Sequence, residues 1–86
     1  MNSVSFYYWA GARAAAGRDF EIVEAESVAD AVHKVRAAHS DPRFDRVLSV
    51  SSLLVDGLVC PAGERDRPLE SPIRIEVLPP FAGGSR

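Results

Sequence analysis

The sequence has a single cysteine, Cys60, among 86 residues. No disulfide can form within the chain, and a lone thiol of this kind is expected in a reducing compartment. No excess of charge of either sign is present: ten Lys and Arg stand against twelve Asp and Glu, a formal net charge of −2. A nucleic-acid binder needs a basic patch along one element, whereas the basic residues here are scattered among carboxylates. That balance predicts a solvated mixed surface and no nucleic-acid partner. No apolar run approaches the roughly 18 residues of a membrane span. The N-terminus lacks the basic, apolar and small-residue zones of a secretory signal. The expectation is a cytoplasmic protein with no membrane partner.

Several kinds of chemistry are also missing. No Gly-rich phosphate loop precedes a helix, and no catalytic triad or close carboxylate pair is evident. His33 and His39 make no recognisable metal pair, so they read as surface or edge residues and no metal is expected. Cys60 reads as a passive loop or strand thiol.

What is present is an ordinary globular balance, 47% apolar and 26% charged, in a length suited to one domain. Residues 3–10 alternate at period two and predict a strand. Val4, Phe6, Tyr8 and Ala10 share one face; Ser3, Ser5, Tyr7 and Trp9 share the other. Ala12 to Ala16 predict a short helical turn closed by Gly17, and residues 19–24 predict a second strand. Ser27 is a suitable N-cap with Asp30 three residues on, a capping-box variant. Val28, Ala31, Val32, Val35 and Ala38 then recur at helical spacing, predicting the main amphipathic helix over 28–39, ended by Ser40-Asp41-Pro42.

Residues 43–51 fit neither pattern decisively. Asp56-Gly57 between apolar runs predicts a tight hairpin over 53–59, because both central residues of such a turn favour positive φ. Residues 61–68 form a polar loop. The last strand is 73–78, with Ile73, Ile75 and Val77 on one face and Arg74 and Glu76 on the other. Pro79-Pro80 stops it, since proline supplies no ladder donor. These elements predict a two-layer α+β domain over 1–80, one sheet on one main helix. Residues 81–86 are expected to be a flexible C-terminal tail carrying Gly83-Gly84.

Three segments resemble the small subunit of molybdopterin synthase. The stretch Tyr8-Trp9-Ala10-Gly11-Ala12-Arg13-Ala14-Ala15-Ala16-Gly17 is similar to that family's opening. The Leu54-Val55-Asp56-Gly57 turn resembles its internal Val-Asn-Gly turn. Most specific is Leu78-Pro79-Pro80-Phe81-Ala82-Gly83-Gly84, which looks like its Leu-Pro-Pro-x-x-Gly-Gly end. Order and spacing agree from about residue 4 to residue 84. The resemblance implies a β-grasp, ubiquitin-like fold with a mixed sheet, and a role as a sulfur carrier. It is not an enzyme on that reading but the sulfur-donor subunit of a sulfurtransferase complex.

In that family a ubiquitin-activating-like adenylyltransferase uses ATP to adenylate the terminal glycine. Sulfur then replaces an oxygen to give a thiocarboxylate. The large synthase subunit accepts the tail and passes the sulfur to cyclic pyranopterin monophosphate. Carried onto this sequence, the acyl site is Gly84, and Pro79, Pro80, Phe81, Ala82 and Gly83 form the tail that delivers it. No cofactor is bound by the carrier itself; ATP belongs to the activating partner. The family docks its partners on the sheet face away from the helix. That implies roles for Tyr7 and Trp9, with Leu78 and Phe81 extending the patch. The thiamin branch has shorter chains without the double proline, which favours the molybdopterin branch.

These residue types suit that chemistry. An α-carboxylate, with a pKa of roughly 3.3–3.7, is ionised at neutral pH and can attack the α-phosphate of ATP. Glycine has no Cβ, so its backbone can thread a narrow channel. The stretch 79–84 spans about 20 Å when extended, and Pro79-Pro80 holds its base in a polyproline-like form, which lowers the ordering cost of insertion.

The sequence departs from the family in two places. Ser71-Pro72-Ile73 stands where Gly-Asp precedes the last strand. Ser85-Arg86 follows the second glycine, so the Gly84 carbonyl is an amide in the chain as written. The expectation is a precursor trimmed by a metalloprotease. Two other readings compete: a sulfur carrier for thiamin, cysteine or a specialised metabolite, and a ubiquitin-like interaction or conjugation module.

Overall fold

The computed structural model describes residues 1–80. The expected tail residues Phe81, Ala82, Gly83 and Gly84, with Ser85 and Arg86, lie outside the described residues.

The chain opens with β1 (Asn2–Tyr8), α1 (Ala10–Ala16), β2 (Phe20–Ala25) and α2 (Val28–His39). Then come α3 (Pro42–Val50), β3 (Ser52–Val55), β4 (Leu58–Val59), a 3₁₀ turn (Ala62–Glu64) and β5 (Ile73–Leu78). The strands form one mixed sheet in the order β2-β1-β5-β3-β4. β1 is antiparallel to β2 and parallel to β5; β3 is antiparallel to both β5 and β4. The helices pack on one face. This is the expected β-grasp arrangement.

Local sequence accounts for most of it. Ser27 is extended and its hydroxyl accepts from the Asp30 N–H at 3.0 Å. The reciprocal carboxylate bond runs not to Ser27 but to the Glu26 N–H, also at 3.0 Å. That bond is the first cause holding the Asp30 carboxyl below its ordinary range, with Lys34 adding to it. Ser40 takes left-handed backbone at φ 51° and donates its N–H to Arg36 O, closing α2. Asp56 and Gly57 both have positive φ, 49° and 90°, as the hairpin signal requires.

The ambiguous stretch 43–51 is a helix. Asp41 caps it by accepting from the Arg43 N–H at 2.9 Å, and Pro42 occupies its first turn, where a missing N–H costs nothing. The same Asp-Pro pair both ends α2 and starts α3. Phe44, Val47 and Leu48 then turn one face to the core. Part of the polar loop is the 3₁₀ turn, and the Arg65 carbonyl beyond it accepts from Ala29 N–H in the first turn of α2.

The core lies between the sheet and the helices. Val4, Phe6 and Tyr8 of β1 and Ile75 and Val77 of β5 meet Ala31 and Val35 of α2, with Ala12, Phe44 and Leu48 from the other helices. Ala38, expected on the buried stripe, is exposed, because the stripe rotates off the sheet as α2 ends. Ala10, expected on the inner face of the first strand, is exposed at the start of α1. Ser27→Ala removes the α2 cap and is expected to cost about 1 kcal/mol, or about 4–8 °C in Tm for a domain this size. Ser27→Asp keeps a capping oxygen and is expected to stay near wild type; thermal unfolding followed by circular dichroism checks both.

Candidate functional site

β5 occupies the middle of the sheet, hydrogen-bonded to β1 on one side and β3 on the other. Leu78 is its last residue, half-buried and paired with Ser52. Pro79 is half-buried and Pro80 exposed. The expected tail therefore starts from a strand fixed along both edges.

Around that exit lies the sheet face turned away from the helices. Pairing aligns one residue from each strand in a row: Phe20, Tyr7, Glu76, Leu54 and Val59. Tyr7 and Phe20 stack with ring centroids 5.4 Å apart. The Arg74 guanidinium lies 4.0 Å over the Tyr7 ring, a cation–π contact of about 0.5–1 kcal/mol at an exposed site. Arg74 Nε stands 3.7 Å from Glu76 Oε2, and the other Glu76 oxygen accepts from the Trp9 indole N–H at 3.1 Å. Tyr7, Trp9, Arg74 and Glu76 thus form one connected set of side chains already held in place. Such fixing lowers the side-chain entropy that a docking partner must overcome.

Trp9 reaches this face by a different route from the one its sequence position predicts. β1 ends at Tyr8, and Trp9 is the N-cap of α1. Its carbonyl accepts from Ala12 and Arg13 N–H, and its own N–H donates to Val77 O at 3.3 Å. The parallel register ends at Tyr8 and Val77, and this bond carries its hydrogen-bond pattern one residue further, to Trp9. Ala10 turns the chain into the helix at φ 47°, backbone that costs an L-residue roughly 1–2 kcal/mol. Trp9 remains 43% exposed, and Phe20 and Ile22 on β2 are 50% and 57% exposed. The tail residues Phe81 to Gly84 cannot be placed against this face, since they lie outside the described residues.

Behind the sheet is a second polar group. The Tyr8 hydroxyl donates to Glu21 Oε2 at 2.5 Å, and His39 Nε2 contacts the same oxygen at 2.6 Å. Arg18 approaches Glu21 Oε1 at 3.4 Å. His39, expected as a surface or edge residue, has only 12% of its side chain exposed, and its ring stacks on Phe44 at 4.1 Å. Burial pushes the Tyr8 hydroxyl above its ordinary range, and the bond to the Glu21 carboxylate pushes it further. The group ties β1, β2, α2 and α3 together. Cys60 follows β4, partly buried against the core, its Sγ 3.8 Å from the Pro61 carbonyl.

The sequence alone does not show the place of Phe20, Arg74 and Glu76 in the outer-face cluster, nor the Tyr8–Glu21–His39 group. Period-two alternation does turn Arg74 and Glu76 outward, but only strand order shows that Tyr7 and Trp9 meet them. Among the described residues no set of three His, Cys, Asp or Glu side chains could hold a metal ion. Nor, among the described residues, is any helix long and apolar enough to cross a membrane.

No family model and no curated protein matches this chain. Solved structures do. The small archaeal modifier protein 1 from Methanosarcina acetivorans superposes with a TM-score of 0.79 at 21% identity, covering 98% of each chain. A putative molybdopterin converting factor subunit 1 from Pyrococcus furiosus gives 0.75 at 22% identity, over 93% of this chain and 99% of that one. A chain in the complex of subunits 1 and 2 of the molybdopterin-converting factor from Helicobacter pylori gives 0.68 at 15% identity, over 95% and 99%. At these identities the likeness is one of fold: the chain has the ubiquitin-like architecture of these proteins throughout its described length.

The Tyr8 environment generates a prediction with a definite sign. A phenol whose proton is held more tightly in the fold stabilises the fold below the ordinary tyrosine pKa of about 10, and that contribution is lost as pH rises toward the folded value. Tyr8→Phe is expected to cost about 1.5–3 kcal/mol near neutral pH, as loss of a hydrogen bond to a charged group. Above pH 10 its disadvantage against wild type should shrink. Urea denaturation at a series of pH values measures both.

Proposed function

We propose that this chain is a ubiquitin-like sulfur carrier whose reacting atom is the carbonyl carbon of Gly84. The observation that carries the reading is the coincidence of sequence and position. The Leu78-Pro79-Pro80-Phe81-Ala82-Gly83-Gly84 segment follows directly on the central strand of a ubiquitin-like sheet. The aromatic and charged face around that exit supports a docking role for Tyr7, Trp9 and Leu78. The fold shared with molybdopterin converting factor subunit 1 supports molybdopterin synthesis as the pathway and a larger subunit as the sulfur-accepting partner.

The chemistry runs through other proteins, and this chain supplies no catalytic side chain. Gly84 is followed by Ser85, so the Gly84–Ser85 peptide bond is first hydrolysed, a step suited to a metalloprotease. In the activating enzyme the freed carboxylate attacks the α-phosphate of ATP and releases pyrophosphate. A hydrosulfide-equivalent nucleophile then displaces AMP, and the carbon that carried two oxygens carries one oxygen and one sulfur. Transfer of that sulfur to the acceptor, with water supplying the oxygen, regenerates the carboxylate.

A second reading rests on the similarity to a small archaeal modifier protein: the same activated glycine would form an amide with a lysine. One experiment separates the two. Protein ending at Gly84 is incubated with an activating enzyme, ATP and a sulfur source, and its C-terminal fragment is weighed. A carrier exchanges one oxygen for sulfur at Gly84, whereas a modifier is found joined to larger proteins through lysine. If neither product forms, or if intact protein from its own cells retains Ser85-Arg86 throughout, acyl chemistry at Gly84 is ruled out.

A further inference from the structure

The sheet has two outer strands. β4 is two residues long, too short to template another strand. β2 is six residues long, and among the described residues it pairs only with β1. The phase of that pairing shows what its free edge offers. Tyr8 N–H donates to Asp19 O at 2.9 Å, so Tyr8 and Asp19 are a hydrogen-bonded pair. In an antiparallel ladder such pairs alternate. Glu21, Val23 and Ala25 therefore bond to β1, while Phe20, Ile22 and Glu24 point their N–H and C=O groups away from the sheet. Lys34 confirms the phase and closes one position, since its Nζ donates to the Glu24 carbonyl at 2.8 Å. The open stretch is Phe20 and Ile22, two donors and two acceptors flanked by exposed apolar side chains. Phe20 is already stacked on Tyr7.

We propose that this edge pairs antiparallel with the same edge of a second copy, about a two-fold axis at Glu21. In that register Phe20 of each copy bonds Ile22 of the other, giving four backbone hydrogen bonds and leaving the Lys34 cap on Glu24 undisturbed. On the outer face Phe20 lies opposite Ile22 of the second copy, an aromatic and β-branched pair of the favourable kind. Beyond the paired stretch, the exposed Glu24 of one copy comes near Arg18 of the second, which precedes β2 and whose half-exposed guanidinium stays 3.4 Å from its own Glu21 Oε1. The pairing is thus apolar at the centre and opposite in charge at both ends. Shifting the axis by one residue to Ile22 would require the Glu24 carbonyl that Lys34 holds, and would set Phe20 against a carboxylate. The unfavourable element is Glu21 against its own copy on the inner face. Each of those carboxylates is already turned to Tyr8, His39 and Arg18 within its own chain. β1 separates this edge from β5, so the dimer leaves Leu78 and the start of both tails uncovered.

The test is sedimentation of the full chain over a concentration series, with hydrogen exchange read at single amides. The expected result is a reversible dimer in which the Phe20 and Ile22 amides gain protection as concentration rises. Ile22→Lys is expected to weaken the dimer about tenfold or more, since it removes both apolar pairs, while the monomer's circular dichroism is unchanged. Glu24→Arg and Arg18→Glu each place like charges at both ends and weaken self-association. An equimolar mixture of those two variants restores opposite charges and recovers the dimer. A chain that stays monomeric at all concentrations overturns the proposal. So does a dimer in which Phe20 and Ile22 still exchange freely, or one indifferent to Ile22→Lys.

Discussion

The parallel pairing of β1 with β5 is the constraint on which the rest depends. It joins the two ends of the domain, Val4 beside Ile73 and Tyr8 beside Val77. Closing so long a loop costs chain entropy before any contact offsets it. The offset lies in the side chains this pairing buries: Val4, Phe6, Ile75 and Val77 are fully removed from solvent, each worth about 1.5–3 kcal/mol. The same pairing then sets the outer face of the sheet. It lets Trp9 N–H reach Val77 O and brings Arg74 and Glu76 up to Tyr7. Without the β1–β5 register neither the outer face nor the point where the tail starts would be defined.

Two polar groups sit on opposite sides of that pair and divide the labour. Outside, Glu76 bridges Arg74 and Trp9 in a solvent-exposed setting, where ion pairs contribute little to stability. The value of that group lies in arranging aromatic surface. Inside, Glu21 takes bonds from Tyr8 and His39 with little solvent access. A half-satisfied carboxylate there would be costly. The inner group therefore fixes β2 and the end of α2 to the core, and through β2 it holds Phe20 where Tyr7 can stack on it.

How much of this could be read from the sequence follows from which forces act locally. The α2 boundaries, the Gly17 stop, the Asp56-Gly57 turn and the alternation of β5 are set by residues within a few positions of each other, and those expectations match the structure. α3 is not legible because the three apolar residues it turns to the core, Phe44, Val47 and Leu48, sit behind an Asp-Pro pair that also reads as the stop of α2, while Val50 at its end is exposed. Trp9 was misassigned to the strand because alternation continues through it; what ends β1 is the turn at Ala10, in backbone an alanine seldom adopts. His39 is more enclosed than its sequence position predicts for a different reason. Its neighbours Glu21 and Phe44 arrive from other elements, and no spacing within 28–39 announces them. The outer face was half legible: each strand's alternation says which side chains point outward, but only strand order says which of them meet.

The division between fold and tail also bears on how a chain like this can be processed. β5 ends at Leu78, and its ladders to β1 and β3 are complete at that residue. The Gly84–Ser85 bond lies six residues further along the sequence. Both ladders and the buried side chains of β5 lie upstream of that bond. Two consecutive prolines at 79 and 80 reinforce the separation, since neither can donate to a neighbouring strand and extend β5 into the tail. The strand that closes the sheet thus ends, in sequence, before the segment for which cleavage, activation and sulfur transfer are proposed. The buried core described for the sheet and the residues proposed to carry the chemistry occupy separate stretches of sequence.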